Sequence, residues 1–162
     1  MLSRLVNSTR RNHALEHATV SVLLSRMGPN IRLVGRAVSD GFYIYGNVRR
    51  EDLESAADEA LERMQRGESH LAVSPLCGTN LAVGGVLSGL AALVAMGSGD
   101  RWERLPTVLT SAMLAVLAAQ PVGRLVQKYL TTSPDLDGTQ IVGIREGGKG
   151  RRRYTKVETV SR

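Results

Sequence analysis

The spacing of apolar residues changes several times along this chain, and each change marks an element. Leu15, Val20, Leu23, Leu24 and Met27 recur at roughly helical intervals until Gly28-Pro29, which predicts a first helix with Asn7, Ser8 or Thr9 as its cap. Ile31 to Val38 alternates apolar and polar positions, the turn Ser39-Asp40-Gly41 follows, and Phe42 to Val48 is again rich in strand formers, so the two runs read as a β-hairpin. Arg50 to Arg66 returns to a helical period. It gathers Leu53, Ala56, Ala57, Ala60, Leu61 and Met64 on one face, places acidic residues in its first turn and stops at Gly67.

The pattern then loses its polar half. Thr79 to Gly97 and Leu105 to Val122 carry no charged residue, and each is close to the length that spans a bilayer as a helix. The spacer between them, SGDRWER, is short and polar, which predicts a transmembrane hairpin. Gly85 and Gly89 form a G-x-x-x-G face of the kind on which membrane helices pack, a surface for a second copy of the chain, and Trp102 sits where an interfacial aromatic would. Beyond the hairpin, TTSPDLDG reads as a loop, and Gln140 to Arg145 and Tyr154 to Val160 read as strands around a Gly-Lys-Gly turn. The expected fold is therefore α+β. A cytoplasmic helix-strand-strand-helix domain at 1–78 is interrupted by the transmembrane hairpin at 79–126 and completed by a β-hairpin and basic tail at 127–162. The sheet should bury Phe42, Ile44, Ile141, Val142, Val157 and Val160.

Charge gives this arrangement an orientation. Arginines crowd the segment before the first span, and Arg124, Lys128, Arg145, Lys149 and Arg151 to Arg153 follow the second, while the connecting loop balances Arg101 and Arg104 against Asp100 and Glu103. Both termini are expected on the cytoplasmic side of the inner membrane, against anionic lipid headgroups. The net charge of +6 belongs to that pattern. It does not read as a nucleic-acid surface, because the basic run GKGRRRYTK holds one aromatic residue. The start MLSRLVNSTRRN has no signal-peptide core, and a single cysteine, Cys77, leaves no internal disulfide.

Chemistry concentrates in RNHALEHATV. His13, Glu16 and His17 spell H-x-x-E-H, and on a helix the offsets i, i+3 and i+4 bring two imidazoles and a carboxylate to one face. Two neutral imidazoles can hold Zn²⁺ while the carboxylate takes a proton from the water on the metal. A third ligand must come from elsewhere. His70 and Cys77 suit zinc better than Glu59 or Glu62, which are accounted for as the solvated face of the second helix. The competing reading makes His13 and His17 interfacial histidines, Glu16 the partner of Arg10 or Arg11, and Cys77 a small residue at a turn.

RNHALEHATV, GFYIYGNV and HLAVSPLCGTN, in that order and followed by two spans, resemble an uncharacterised family of small bacterial membrane proteins, a resemblance that names no activity. The H-x-x-E-H helix alone resembles the inverted zinc motif of the pitrilysin and insulin-degrading-enzyme peptidases. That second resemblance implies zinc ligation by His13 and His17 and a general base at Glu16, although in those peptidases the third ligand is a Glu on a later helix. Two functions fit these residues: a membrane-anchored zinc metallopeptidase acting on a membrane-proximal protein or peptide, and a non-enzymatic membrane-anchored module, metal-stabilised or metal-free.

Overall fold

The computed structural model describes residues 2–97, 101–148 and 153–161, the side chain of Arg101 aside. Residues 1, 98–100 of the polar spacer, 149–152, where most of the Gly-Lys-Gly turn is expected, and 162 lie outside the described residues. In chain order the elements are α1 (Leu2–Met27), β1 (Leu33–Val38), β2 (Gly41–Gly46), α2 (Arg50–Gln65), a 3₁₀ turn (Ser69–Ala72), α3 (Gly78–Met96), α4 (Arg101–Val126), a π-helical turn (Gln127–Thr131), β3 (Thr139–Gly147) and β4 (Tyr154–Ser161). They form two compact units, one made of Met1–Ser74 with Thr131–Arg162 and the other of Pro75–Leu130.

In the first unit a four-stranded antiparallel sheet runs in the order β1-β2-β4-β3. Val38 pairs with Gly41 across the two-residue turn Ser39-Asp40, which sets the first register. Phe42, Ile44, Ile144 and Val157 face α1 and α2 and join Leu15, Val22, Leu23, Leu53 and Met64 in one core. Ala14, Ala18, Ala56, Ala57 and Ala60 are all fully buried in it; such short side chains let packed helices approach closely. The opposite face of the sheet carries Tyr43, Tyr45 and Tyr154, with Tyr154 edge-on to Tyr43 at 5.3 Å. The Lys156 ammonium lies over the Tyr43 ring.

Two of the expected core residues are on that outer face or beside it. Val142 and Val160 are 58% and 50% exposed. Thr155, Val157 and Thr159 point inward, so Val160, of opposite parity on the same strand, must point outward. In β3 the register shifts between Ile141 and Gly143, and this bulge takes Val142 out of the ladder. The first helix also differs from expectation. It begins at Leu2, so Asn7, Ser8 and Thr9 lie within it and cannot cap it, and the Thr9 hydroxyl donates instead to the Leu5 carbonyl at 2.8 Å. Its C-terminal end is as expected: Gly28 takes φ +83°, and its N–H reaches the Leu24 carbonyl at 3.0 Å.

In the second unit α3 spans 19 residues, and the stretch Trp102–Thr131, whose last residue belongs to the first unit, forms 30 residues of nearly continuous helix, starting before and ending after the apolar run that marks it in the sequence. Both are long and apolar enough to cross a membrane, and only 6% of each apolar window is buried within the chain. Cys77 caps α3, its Sγ accepting from the Thr79 N–H at 3.4 Å. The Asn80 side chain donates to the Pro75 carbonyl at 2.9 Å and accepts from Gln127 Nε2 at 2.9 Å. A methyl group on Gly123 would lie 2.1 Å from Asn80 Oδ1, so this glycine is where α4 meets that polar clasp. Gly84, beside Ala119, lies at the same seam, whereas Gly85 and Gly89 face open space.

Candidate metal centre

α1 presents His13, Glu16 and His17 along one face, as the helical spacing requires. The two imidazole centroids are 4.4 Å apart, with planes inclined at 61°, and a ring nitrogen of one lies within 4.8 Å of a ring nitrogen of the other. Two ligands at ~2.1 Å from a tetrahedral zinc ion stand about 3.4 Å apart, so enclosing an ion asks for a shift of no more than about 1.4 Å.

Backbone carbonyls fix both rings. His13 Nδ1 is 3.0 Å from the Thr131 carbonyl oxygen and His17 Nδ1 is 2.8 Å from that of Ala72. A carbonyl only accepts, so each Nδ1 carries the proton and donates it. In the neutral ring the lone pair is then on Nε2, the arrangement that metal-ligating histidines use. His17 is buried and His13 half-buried. The two carbonyls come from particular places in the chain: Ala72 ends the 3₁₀ turn just before the second unit, and Thr131 is the first residue after it.

Glu16 is 7% exposed, and its Oε2 is 3.9 Å from His13 Nε2. Its carboxylate is seated against β1, where a methyl group on Gly35 would lie 1.8 Å from Glu16 Oε1. Only a residue without a side chain leaves room for it there. One turn earlier, Asn12 is 1% exposed, donates from Nδ2 to the Val38 carbonyl at 2.8 Å and accepts from the Thr159 hydroxyl at 2.6 Å. It joins α1 to strands at both ends of the chain, and with Gly35 it fixes the face on which the histidines stand.

The other sequence candidates are placed as follows. His70 is exposed on the 3₁₀ turn and does not belong to the cluster of metal-capable side chains that contains the two histidines. Glu59 is bonded to Arg26, which holds its carboxyl below the usual range, and Glu62 pairs with Arg66 at 3.6 Å. Both therefore serve as surface ion-pair partners. Cys77 is buried at the cap of α3, its Sγ 3.3 Å from the Thr79 hydroxyl.

Fold and site define a class: an α+β domain with a helix-borne His/Glu/His set, and with two helices apolar enough to cross a membrane inserted before its last two strands. The chain belongs to the family described as a domain of unknown function, DUF6391, whose model matches residues 8–144. It is also 35% identical over 141 residues to an uncharacterised protein of Picosynechococcus sp., an alignment covering 79% of this chain and 67% of that one. No solved structure matches it.

Proposed function

We propose that this protein is a membrane-anchored zinc protein with the parts of a hydrolytic centre, acting on a membrane-proximal peptide or protein. One observation carries the reading: both histidines donate from Nδ1 to backbone carbonyls, which leaves two Nε2 lone pairs on one helix face beside the Glu16 carboxylate. A third ligand must come from farther along the chain, and Cys77 is the first choice. Its thiolate suits zinc, and it follows Ala72, the residue that holds His17, by five positions, at most about 18 Å of extended chain. His70, being exposed, is the lesser alternative. An ion held there would lower the pKa of a bound water, and Glu16 would serve as general base.

The anchor is α3 with α4, and both termini are cytoplasmic at the inner membrane. In support, the apolar windows are almost wholly uncovered by the chain itself, and Lys and Arg gather on the flanks of the hairpin. Lipids are thus one partner. A second copy packed on the open Gly85 and Gly89 face is another, and nucleic acid is not among them.

A second reading has its own support. The two carbonyls that hold the histidines flank the inserted hairpin, so the pair, with or without zinc, clips the ends of the insertion to α1 in a non-enzymatic module.

Elemental analysis of the detergent-purified protein tests both readings. Stoichiometric zinc that is lost in His13→Ala and His17→Ala supports the metal centre, and wild-type protein without zinc removes it. Glu16→Gln separates the two functions: a hydrolase keeps its zinc and fold and loses turnover of a peptide library, while a clip loses stability or metal affinity.

A further inference from the structure

A separate cavity of about 640 Å³ opens beside the first turns of α1, away from the histidine pair. Arg4, Asn7, Ser8 and Arg11 line it at helical offsets i, i+3, i+4 and i+7, and Ser133 and Asp135 face them from the loop after Thr131. Arg11 closes one side by donating to Asp135 at 2.8 Å. The Arg4 guanidinium, the Asn7 amide and the Ser8 and Ser133 hydroxyls make no hydrogen bond or ion pair with any described residue. The wall thus holds two arginines against one aspartate, with a guanidinium, an amide and two hydroxyls left to donate. Such a set is matched by an anion with several acceptor oxygens, and a planar guanidinium beside hydroxyls suits phosphate in particular.

We propose that this cavity binds a phosphate group, supplied by an anionic phospholipid headgroup or by a free phosphate. Its position in the chain favours the lipid, a preference that rests on the membrane-anchored reading. Ser133 lies two residues past the apolar helical stretch ending at Thr131, about 7 Å of chain. The headgroup layer on one side of a bilayer is about 5–7 Å deep. Arg4 and Ser8 then grip the phosphate oxygens while Arg11, held by Asp135, lends its remaining donors.

Binding to the detergent-purified full chain is measured by ³¹P NMR with inorganic phosphate and with dihexanoyl phosphatidylglycerol. The expected result is saturable binding of the phosphatidylglycerol probe, weakened about tenfold in Arg4→Gln and less in Ser8→Ala and Ser133→Ala, with zinc content unchanged. Binding of inorganic phosphate with the same variant dependence assigns the site to a free phosphate. No binding of either probe, or binding indifferent to all three variants, overturns the proposal. A protein that stays soluble without detergent contradicts the membrane anchor alone, and the inorganic phosphate arm still decides for or against the cavity.

Discussion

The Glu16 carboxylate occupies the space that a side chain at Gly35 would fill. A helix residue and a strand residue nineteen positions away in sequence therefore share one volume, and the orientation of the candidate base depends on a glycine.

Gly35→Ala should accordingly destabilise the protein by about 2 kcal/mol, since the added methyl group has a buried carboxylate to displace. In the double variant Gly35→Ala with Glu16→Ala the space is free again. Chemical denaturation should then give a loss smaller than the sum of the two single changes. A strictly additive pair would mean that the two residues do not compete for that space.

Asn12→Ala removes a buried amide that serves the Val38 carbonyl and the Thr159 hydroxyl. The expected cost is about 1–3 kcal/mol, because both partners are left without their bond. Hydrogen exchange should show faster exchange in β4 than in α2, since Thr159 is on β4. Uniform loss of protection would point to global unfolding instead.

The Lys156 ammonium bonded to Asp40 holds that carboxyl below its ordinary value of 3.8. A carboxyl depressed in the folded state stabilises it fully above the unfolded value, and the contribution fades as pH falls through the folded one. Asp40 is largely exposed, so the effect is no more than about 0.5 kcal/mol. Asp40→Asn should be less stable than wild type by a constant margin from pH 6 to 8, and the margin should close below pH 3.8. A margin that widens in acid would contradict this pairing.

Gly123→Ala drives a methyl group toward Asn80 Oδ1, whereas Gly85→Ala meets nothing within 4 Å. The first should lower the melting temperature of the detergent-purified protein by several degrees, and the second should leave it near wild type in a detergent that keeps the chain monomeric. Should Gly85→Ala prove equally harmful, that face would have to be occupied, by a second copy or by lipid.

Orientation follows from the charge asymmetry. In the Cys77→Ser background, a cysteine at Glu103 should react with an impermeant maleimide in intact cells, and one at Arg66 only after the membrane is opened. The reverse pattern would invert the proposed topology.

What could be read from the sequence is what depends on neighbours in the chain. The helical offsets of His13, Glu16 and His17, the alternation in β1 and β2, and the lengths of α3 and α4 are local, and local rules recover them. Gly35, Asn12, Thr131 and Ala72 are not of this kind. A glycine in a strand or an asparagine in a helix carries no sign of the distant group it will meet, and a carbonyl belongs to every residue. The period of two fails at Val142 because a bulge interrupts it, and Asn7, Ser8 and Thr9 do not mark the helix start because a capping residue looks the same inside a helix as at its end.

The order of the strands also imposes an order in time. Gly41–Gly46 is made early, but its free edge is covered only by Tyr154–Ser161, the last strand of this sheet in chain order. Throughout translation of the intervening hundred or so residues, including both apolar helices, the nascent domain carries an unpaired edge beside Tyr43, Tyr45 and the exposed Val34. Loss of those eight strand residues, by truncation or premature termination, removes an interior strand, so a chain that stops short of them should be treated by the cell as unfolded from its first hairpin onward.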